Sequence, residues 1–194
     1  GERATLYLID TNRHNSSAWN IGTHLERFPI TNVSNIHYSV GGPLRSGFRF
    51  DAKIRSSSVG VEYTLDKNAR AVKVHIRVDW SEVGGEKVPV LSYEFPTTEK
   101  TSRFSYNIPG GQIVRDAGEG DRPGLSYIAA YAEGTSHTPA IVTDSKYGFR
   151  GITRNGHAVM QSTLINTATS PDPYPERGIH NVTLTVGLLP SFPA

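Results

Sequence analysis

Apolar and polar residues alternate one by one through much of this chain, and helical spacing is nearly absent. Val72, Val74, Ile76 and Val78 are interleaved with Lys73, His75 and Arg77. Successive side chains of a strand point to opposite faces, so this segment predicts a half-buried strand, apolar on one side and polar on the other. Phe48 and Phe50 alternate with Arg49 and Asp51 in the same way. Alternation, or a short run of β-branched and aromatic residues, predicts further strands over Ala4–Ile9, Ser58–Leu65, Val88–Phe95, Thr101–Tyr106, Ser126–Ala132, Ala140–Thr143, Gly148–Thr153, Ala158–Leu164 and Asn181–Leu189.

Turn chemistry separates these runs. Gly41-Gly42-Pro43, Asp66-Lys67-Asn68, Gly84-Gly85, Ile108-Pro109-Gly110-Gly111 and Asn155-Gly156 all interrupt strand-like stretches. Asn155-Gly156 is the sharpest, because both residues tolerate the positive φ of a two-residue hairpin turn. Asp10–Ala18 is polar and is expected to be a loop, and Asp116–Gly124, rich in Gly, Asp and Arg, an exposed one. Neither resembles a linker, and no repeat is visible. Many strands at this spacing, without intervening helices, predict an all-β fold, an antiparallel β-sandwich or barrel, as one domain over residues 1–194. The chain opens almost directly in a strand, as a domain cut from a larger protein would.

Composition narrows the function classes. With 194 residues and 37% apolar residues the chain can close a core without staples. It has no Cys, which excludes disulfides, thiolate metal sites and thiol nucleophiles. That absence suits the cytoplasm and many exported proteins alike, so it leaves the compartment open, and no signal-peptide pattern opens the chain. The formal net charge is only +2 and no basic run exists, so no nucleic-acid partner is expected. No apolar run approaches the roughly 20 residues of a membrane helix, so no membrane partner is expected either. Three N-glycosylation patterns, at Asn15, Asn32 and Asn181, are what chance supplies in a Ser/Thr-rich β protein.

Candidate chemistry is sparse. The seven His, His14, His24, His37, His75, His137, His157 and His180, show no metal-binding spacing, and no metal site is expected. Among the carboxylates, Asp79, Asp144, Asp172 and Glu176 are the least turn-like, yet each also reads as an ion-pair or capping group. No nucleophile elbow, phosphate loop or dinucleotide fingerprint is present, so no catalytic residue is assigned. Trp19, Trp80 and Tyr147 are candidates for stacking on sugar rings, with core packing the better reading of Trp80.

The last third carries an ordered set of motifs. Asp144-Ser145-Lys146-Tyr147-Gly148 precedes the hairpin and Val159–Leu164; Ser170-Pro171-Asp172-Pro173 follows; Arg177-Gly178-Ile179-His180 leads into Thr183-Leu184-Thr185. Upstream stand Gly42-Pro43-Leu44, Val78-Asp79-Trp80-Ser81-Glu82, Tyr93-Glu94-Phe95-Pro96 and Tyr106-Asn107-Ile108-Pro109-Gly110-Gly111. Collinear over roughly residues 40 to 190, the set resembles the C-terminal β-region of family 38 glycoside hydrolases, the α-mannosidases. Two departures stand out: Asn166 near a usual Arg, and a shortened stretch at Ser126–Glu133.

The resemblance implies a mutarotase-like supersandwich, the C-terminal region of a larger retaining α-mannosidase. Its partners would be the catalytic domain of the same polypeptide and a mannose-containing glycan. Zinc and the nucleophile would belong to that preceding domain, with no cofactor in this chain. By matching positions, Asp144, Lys146, Tyr147, Arg177 and His180 are the candidates for a substrate rim. Each has a structural alternative: Asp144 as a turn cap, Arg177 in an ion pair with Asp172 or Glu176, His180 on backbone. An autonomous carbohydrate-binding module is the alternative function, and a stand-alone sugar-modifying enzyme using His180 with Asp144 is a third.

Overall fold

The computed structural model describes residues 3–172 and 176–190, and no helix occurs among them. The strands are β1 (Thr5–Asn12), β2 (His24–Pro29), β3 (Val33–Gly41), β4 (Arg45–Ile54), β5 (Ser57–Asp66), β6 (Ala71–Trp80), β7 (Lys87–Pro96) and β8 (Arg103–Ile108). They continue with β9 (Gly111–Asp116), β10 (Arg122–Pro123), β11 (Tyr127–Ala130), β12 (His137–Thr143), β13 (Gly148–Arg154), β14 (His157–Asn166) and β15 (Gly178–Pro190). Every pairing is antiparallel, in a six-stranded sheet ordered β10-β13-β14-β7-β1-β2 and a nine-stranded sheet ordered β3-β4-β5-β6-β15-β12-β11-β8-β9. The all-β antiparallel sandwich expected from alternation is therefore the fold.

One hydrophobic cluster joins the sheets face to face. Leu6, Leu8, Leu91, Tyr93, Phe149 and Met160 come from the smaller sheet, and Val61, Val74, Ile76, Trp80, Phe104 and Ile128 from the larger. The run Val72–Val78 alternates as predicted, with Val74, Ile76 and Val78 buried and Lys73, His75 and Arg77 exposed. Trp80 is a core residue, and its indole N–H donates to Thr167 Oγ1 at 2.8 Å. The β13–β14 hairpin turns at Asn155 (φ 52°) and Gly156 (φ 78°), the backbone that this dipeptide favours.

The six-stranded sheet is buried on both faces at its centre. Outward-facing Glu94 on β7 is matched with Gln161 on β14, and Gln161 with Arg150 on β13. Glu94 is 1% exposed, so its charge requires partners. Arg154 donates to both of its oxygens at 2.8 and 3.3 Å, Gln161 Nε2 donates at 2.8 Å, and Arg27 reaches it as well.

One expected loop is corrected at its start, and a second is more firmly held than expected. Asp10 to Asn12 belong to β1, because Asp10 is buried and receives the Arg55 guanidinium at 2.6 Å. The Asp116–Gly124 stretch is largely exposed, as expected, but is pinned to the sheet. Gly118 N donates to Gly151 O at 3.0 Å, Arg122–Pro123 forms β10 beside β13, and the Asp121 side chain is 10% exposed.

Candidate functional site

The Lys146-Tyr147 turn stands at one wall of a cleft of about 330 Å³. β12 ends at Thr143, whose Oγ1 accepts from the backbone N–H groups of Ser145 and Lys146, each at 3.3 Å. Such a hydroxyl turn needs no cap from Asp144. Past it, Tyr147 O accepts from Gly124 N at 3.0 Å, which fixes the Tyr147 backbone against the β10 segment. The ring itself is 73% exposed.

The cleft is lined as well by the loop between β1 and β2, held by buried Ser17. Its hydroxyl accepts from Thr169 N at 2.9 Å and Ser170 N at 3.1 Å, and its carbonyl accepts from Asn166 Nδ2 at 2.8 Å. Ala18 N donates to Ser170 O at 3.0 Å, and Trp19 follows with its side chain 73% exposed. The clamp thus holds an indole open to solvent on backbone that is firmly bonded. Asp121, Asn166 and Glu176 complete the polar lining.

Burial sets the electrostatics. It pushes the Asp121 carboxyl above the usual carboxylate range, while the Thr163 hydroxyl, donating at 2.5 Å, pulls the other way. The Lys146 ammonium is held below its ordinary value by partial burial, which the negative charge of Glu176 opposes. Behind Asp121, His24 is lowered to about 3 by burial, then by the charges of Arg150 and Arg27. Arg150 donates to His24 Nδ1, so the imidazole is neutral and carries its proton on Nε2. The 4.0 Å approach of Nε2 to Asp121 is accordingly a dipolar contact and not an ion pair.

The structure gathers some of the predicted rim residues and leaves others apart. Lys146 and Tyr147 line the cleft. His180 sits on β15 opposite Val78 and is tied to the cleft through Glu176, whose carbonyl lies 2.6 Å from Nε2 and whose carboxylate lies 3.8 Å from Nδ1. Arg177 and Asp144 are exposed and do not line the cleft. His180 is thereby engaged by Glu176 rather than by Asp144, the partner a sugar-modifying site would need. Pro173 of the Ser170–Pro173 motif falls outside the described residues. Trp19, Asp121, Asn166 and Glu176 escaped the motif reading. Trp19 carried a signal as one of two Trp residues, Glu176 as one of the least turn-like carboxylates and Asn166 as a departure from the family's pattern; Asp121 carried none. Among the described residues, no three His, Cys, Asp or Glu side chains gather to hold a metal ion.

Comparison with known proteins places this architecture. No curated protein matches the chain. Among solved structures, an α-mannosidase from Enterococcus faecalis V583 superposes with a TM-score of 0.70 at 12% identity, over 96% of this chain and 26% of its own. A glycosyl hydrolase family 38 protein from Enterococcus faecalis superposes with a TM-score of 0.72 at 10% identity, again over 96% and 26%. The chain thus spans about a quarter of the length of these proteins. The model of the glycosyl hydrolases family 38 C-terminal domain matches residues 3–174, and the chain belongs to that family.

Proposed function

We propose that this chain is the non-catalytic C-terminal β-domain of a larger α-mannosidase-like glycoside hydrolase. On this reading it packs on a zinc-dependent catalytic domain and shapes the rim of the substrate site. The observation that carries the reading is an uncovered apolar strip. The core-facing side of the nine-stranded sheet runs on past the six-stranded one. Phe48 and Leu65 share that side with buried Ala52 and Val61, and Tyr38 lies opposite Phe48. They are 42%, 43% and 87% exposed, with Ile36 and Leu44 exposed nearby. A contiguous apolar face of this kind marks a docking surface.

The rim role rests on Lys146 and Tyr147. They reach the same cleft from a turn whose backbone is fixed, so an ammonium donor and an aromatic face are presented without further ordering. The zinc that the resemblance implies belongs, on this reading, to the catalytic domain. The family's mutarotase-like supersandwich is compatible with the two antiparallel sheets.

The test is hydrolysis of an aryl α-mannoside with added Zn²⁺, by the chain alone and by the chain mixed with the remainder of its polypeptide. Activity in the mixture that exceeds the remainder alone is expected, with a higher KM and little change in kcat for Tyr147→Ala. Turnover by the chain alone, or no gain on mixing, overturns the reading.

A further inference from the structure

Strand β15 parts from one neighbour before the other. Its register with β6 ends at Gly187 opposite Ala71, whereas its register with β12 runs on to Pro190 opposite His137. Gly187, at φ 151°, makes the parting possible. A Cβ there would stand 2.5 Å from Arg70 O and 2.6 Å from Ala71 Cα, in a conformation that suits glycine alone. Leu188 N then donates to Arg70 O at 3.0 Å and ties the strand to the end of the β5–β6 turn. The turn is itself fixed, since Ala69 N donates to Asp66 O at 3.0 Å and Lys67 N to Leu44 O at 2.8 Å. Between this turn and the start of β12 lies a cleft of about 420 Å³.

Its lining joins an apolar side to an excess of positive charge. Leu188 and Leu189 supply the apolar side, and Leu188 is 46% exposed. Asp66, Arg70, Lys73 and His137 supply the polar side. Asp66 is already engaged: Arg45 donates to its two oxygens at 2.5 and 3.2 Å, and that hydrogen bonding holds the carboxyl below its ordinary range. Among the described residues, Arg70 and Lys73 form no salt bridge. With Arg45 balancing Asp66, these two cations remain unbalanced on backbone that the turn and the β5–β6–β15 ladder hold. His137 Nδ1 lies 3.1 Å from Ser136 Oγ, which leaves Nε2 for a ligand. An anionic head group would gain charge-assisted hydrogen bonds here, roughly twice as strong as neutral ones. An apolar body against Leu188 would gain roughly 25 cal/mol for each Å² removed from water. The volume falls within the roughly 300–1,000 Å³ of small-molecule pockets.

We propose that the cleft between the β5–β6 turn and the end of β15 binds an amphipathic organic anion, a carboxylate or phosphate monoester joined to a small apolar body. Arg70 and Lys73 take the head group, and Leu188 with Leu189 takes the body. Every residue of the cleft belongs to this chain, and none lies on the Tyr38 strip or beside Tyr147. The site therefore stands or falls apart from the assembly reading.

The experiment titrates phenyl phosphate, phenylacetate, inorganic phosphate and benzyl alcohol into the isotopically labelled chain, followed by calorimetry and by amide chemical shift. Phenyl phosphate or phenylacetate is expected to saturate below roughly 10 mM and to move the amides of residues 69–73 and 188–189. The tighter of the two names the head group. Inorganic phosphate and benzyl alcohol, each lacking half of the ligand, should bind at least about tenfold more weakly. Arg70→Gln together with Lys73→Gln should weaken the aromatic anion at least about tenfold. Leu188→Ser should weaken it while leaving inorganic phosphate unchanged. All three positions are exposed, and unchanged urea midpoints check that the fold is kept. The shift map of the wild-type chain needs no variant. No saturable binding of either aromatic anion at about 10 mM overturns the proposal. So does inorganic phosphate binding as tightly, binding untouched by the double substitution, or shifts confined to another part of the sandwich.

Discussion

At the scale of single residues, the most exacting position is Glu94. Its carboxylate is 1% exposed and is met by Arg27, Arg154 and Gln161. Removing one partner of a buried ionic set leaves the others uncompensated. Glu94→Ala is expected to lower stability by about 3 kcal/mol, read as a fall in the urea midpoint. That is the low end of the usual cost, since Arg27 and Arg154 are 30% and 25% exposed and regain some water. His24 makes a second prediction. Its native imidazole is lowered from 6.5 to about 3, chiefly by burial, so the unfolded chain takes up a proton more readily. Its contribution is present above pH 6.5 and is lost progressively as pH falls from there toward about 3. Asp121, raised by burial, opposes the loss at the acid end, where the folded state protonates first. Urea midpoints measured across this window should fall with acid. His24→Gln, which keeps an acceptor for Arg150, should flatten the fall; an unchanged slope rules His24 out as its source.

At the scale of elements, close packing between sheets turns on one glycine. A Cβ on Gly151 of β13 would lie 2.4 Å from the ring of Phe104, which is fully buried on β8. Neither backbone nor ring has room to give, so Gly151→Ala should cost about 1–3 kcal/mol by overpacking, seen in thermal unfolding. Phe104→Leu in the same chain should recover part of it. The strands themselves were legible in sequence to an informative degree. Val72–Val78 and Val88–Phe95 were visible because burial on one face or both writes a period or an apolar run. The four strands that escaped, β2, β3, β9 and β10, are the four sheet edges. β3 is exposed along nearly its whole length; Ile36, Tyr38 and Val40 alternate with His37 and Ser39, but the run is short and is interrupted at its start by Asn35 in a positive-φ conformation (φ 52°). The site was legible where a motif coincided with a turn, at Lys146 and Tyr147. That Trp19, Asp121 and Glu176 share the cleft was not legible, because clamps over more than a hundred residues of sequence, such as Ser17 on Ser170, bring it together.

At the scale of the molecule, the unequal sheets make a prediction about assembly. Nine strands face six, and the overhang leaves Tyr38, Phe48 and Leu65 in water on the side that elsewhere forms the core. Phe48 stacks on half-buried Tyr63 with ring centroids 5.0 Å apart, whereas Tyr38 and Leu65 are exposed, so charge placed at those two should leave the chain's own stability within about 0.5 kcal/mol. Burial of the strip by a partner should, in contrast, stabilise the chain by mass action. At a partner concentration of about 100 times Kd the gain is roughly 2.7 kcal/mol. For a domain of this size each kcal/mol moves the Tm by about 2–4 °C, so a rise of roughly 5–10 °C is expected when the remainder of the polypeptide is added. The double variant Tyr38→Lys, Leu65→Lys should keep the Tm of the chain alone and lose most of that rise. Scanning calorimetry of the two chains, each with and without the added partner, separates the possibilities. A rise that survives both lysines places the docking surface elsewhere on the sandwich, whereas a Tm that falls in the chain alone means the strip already serves the core.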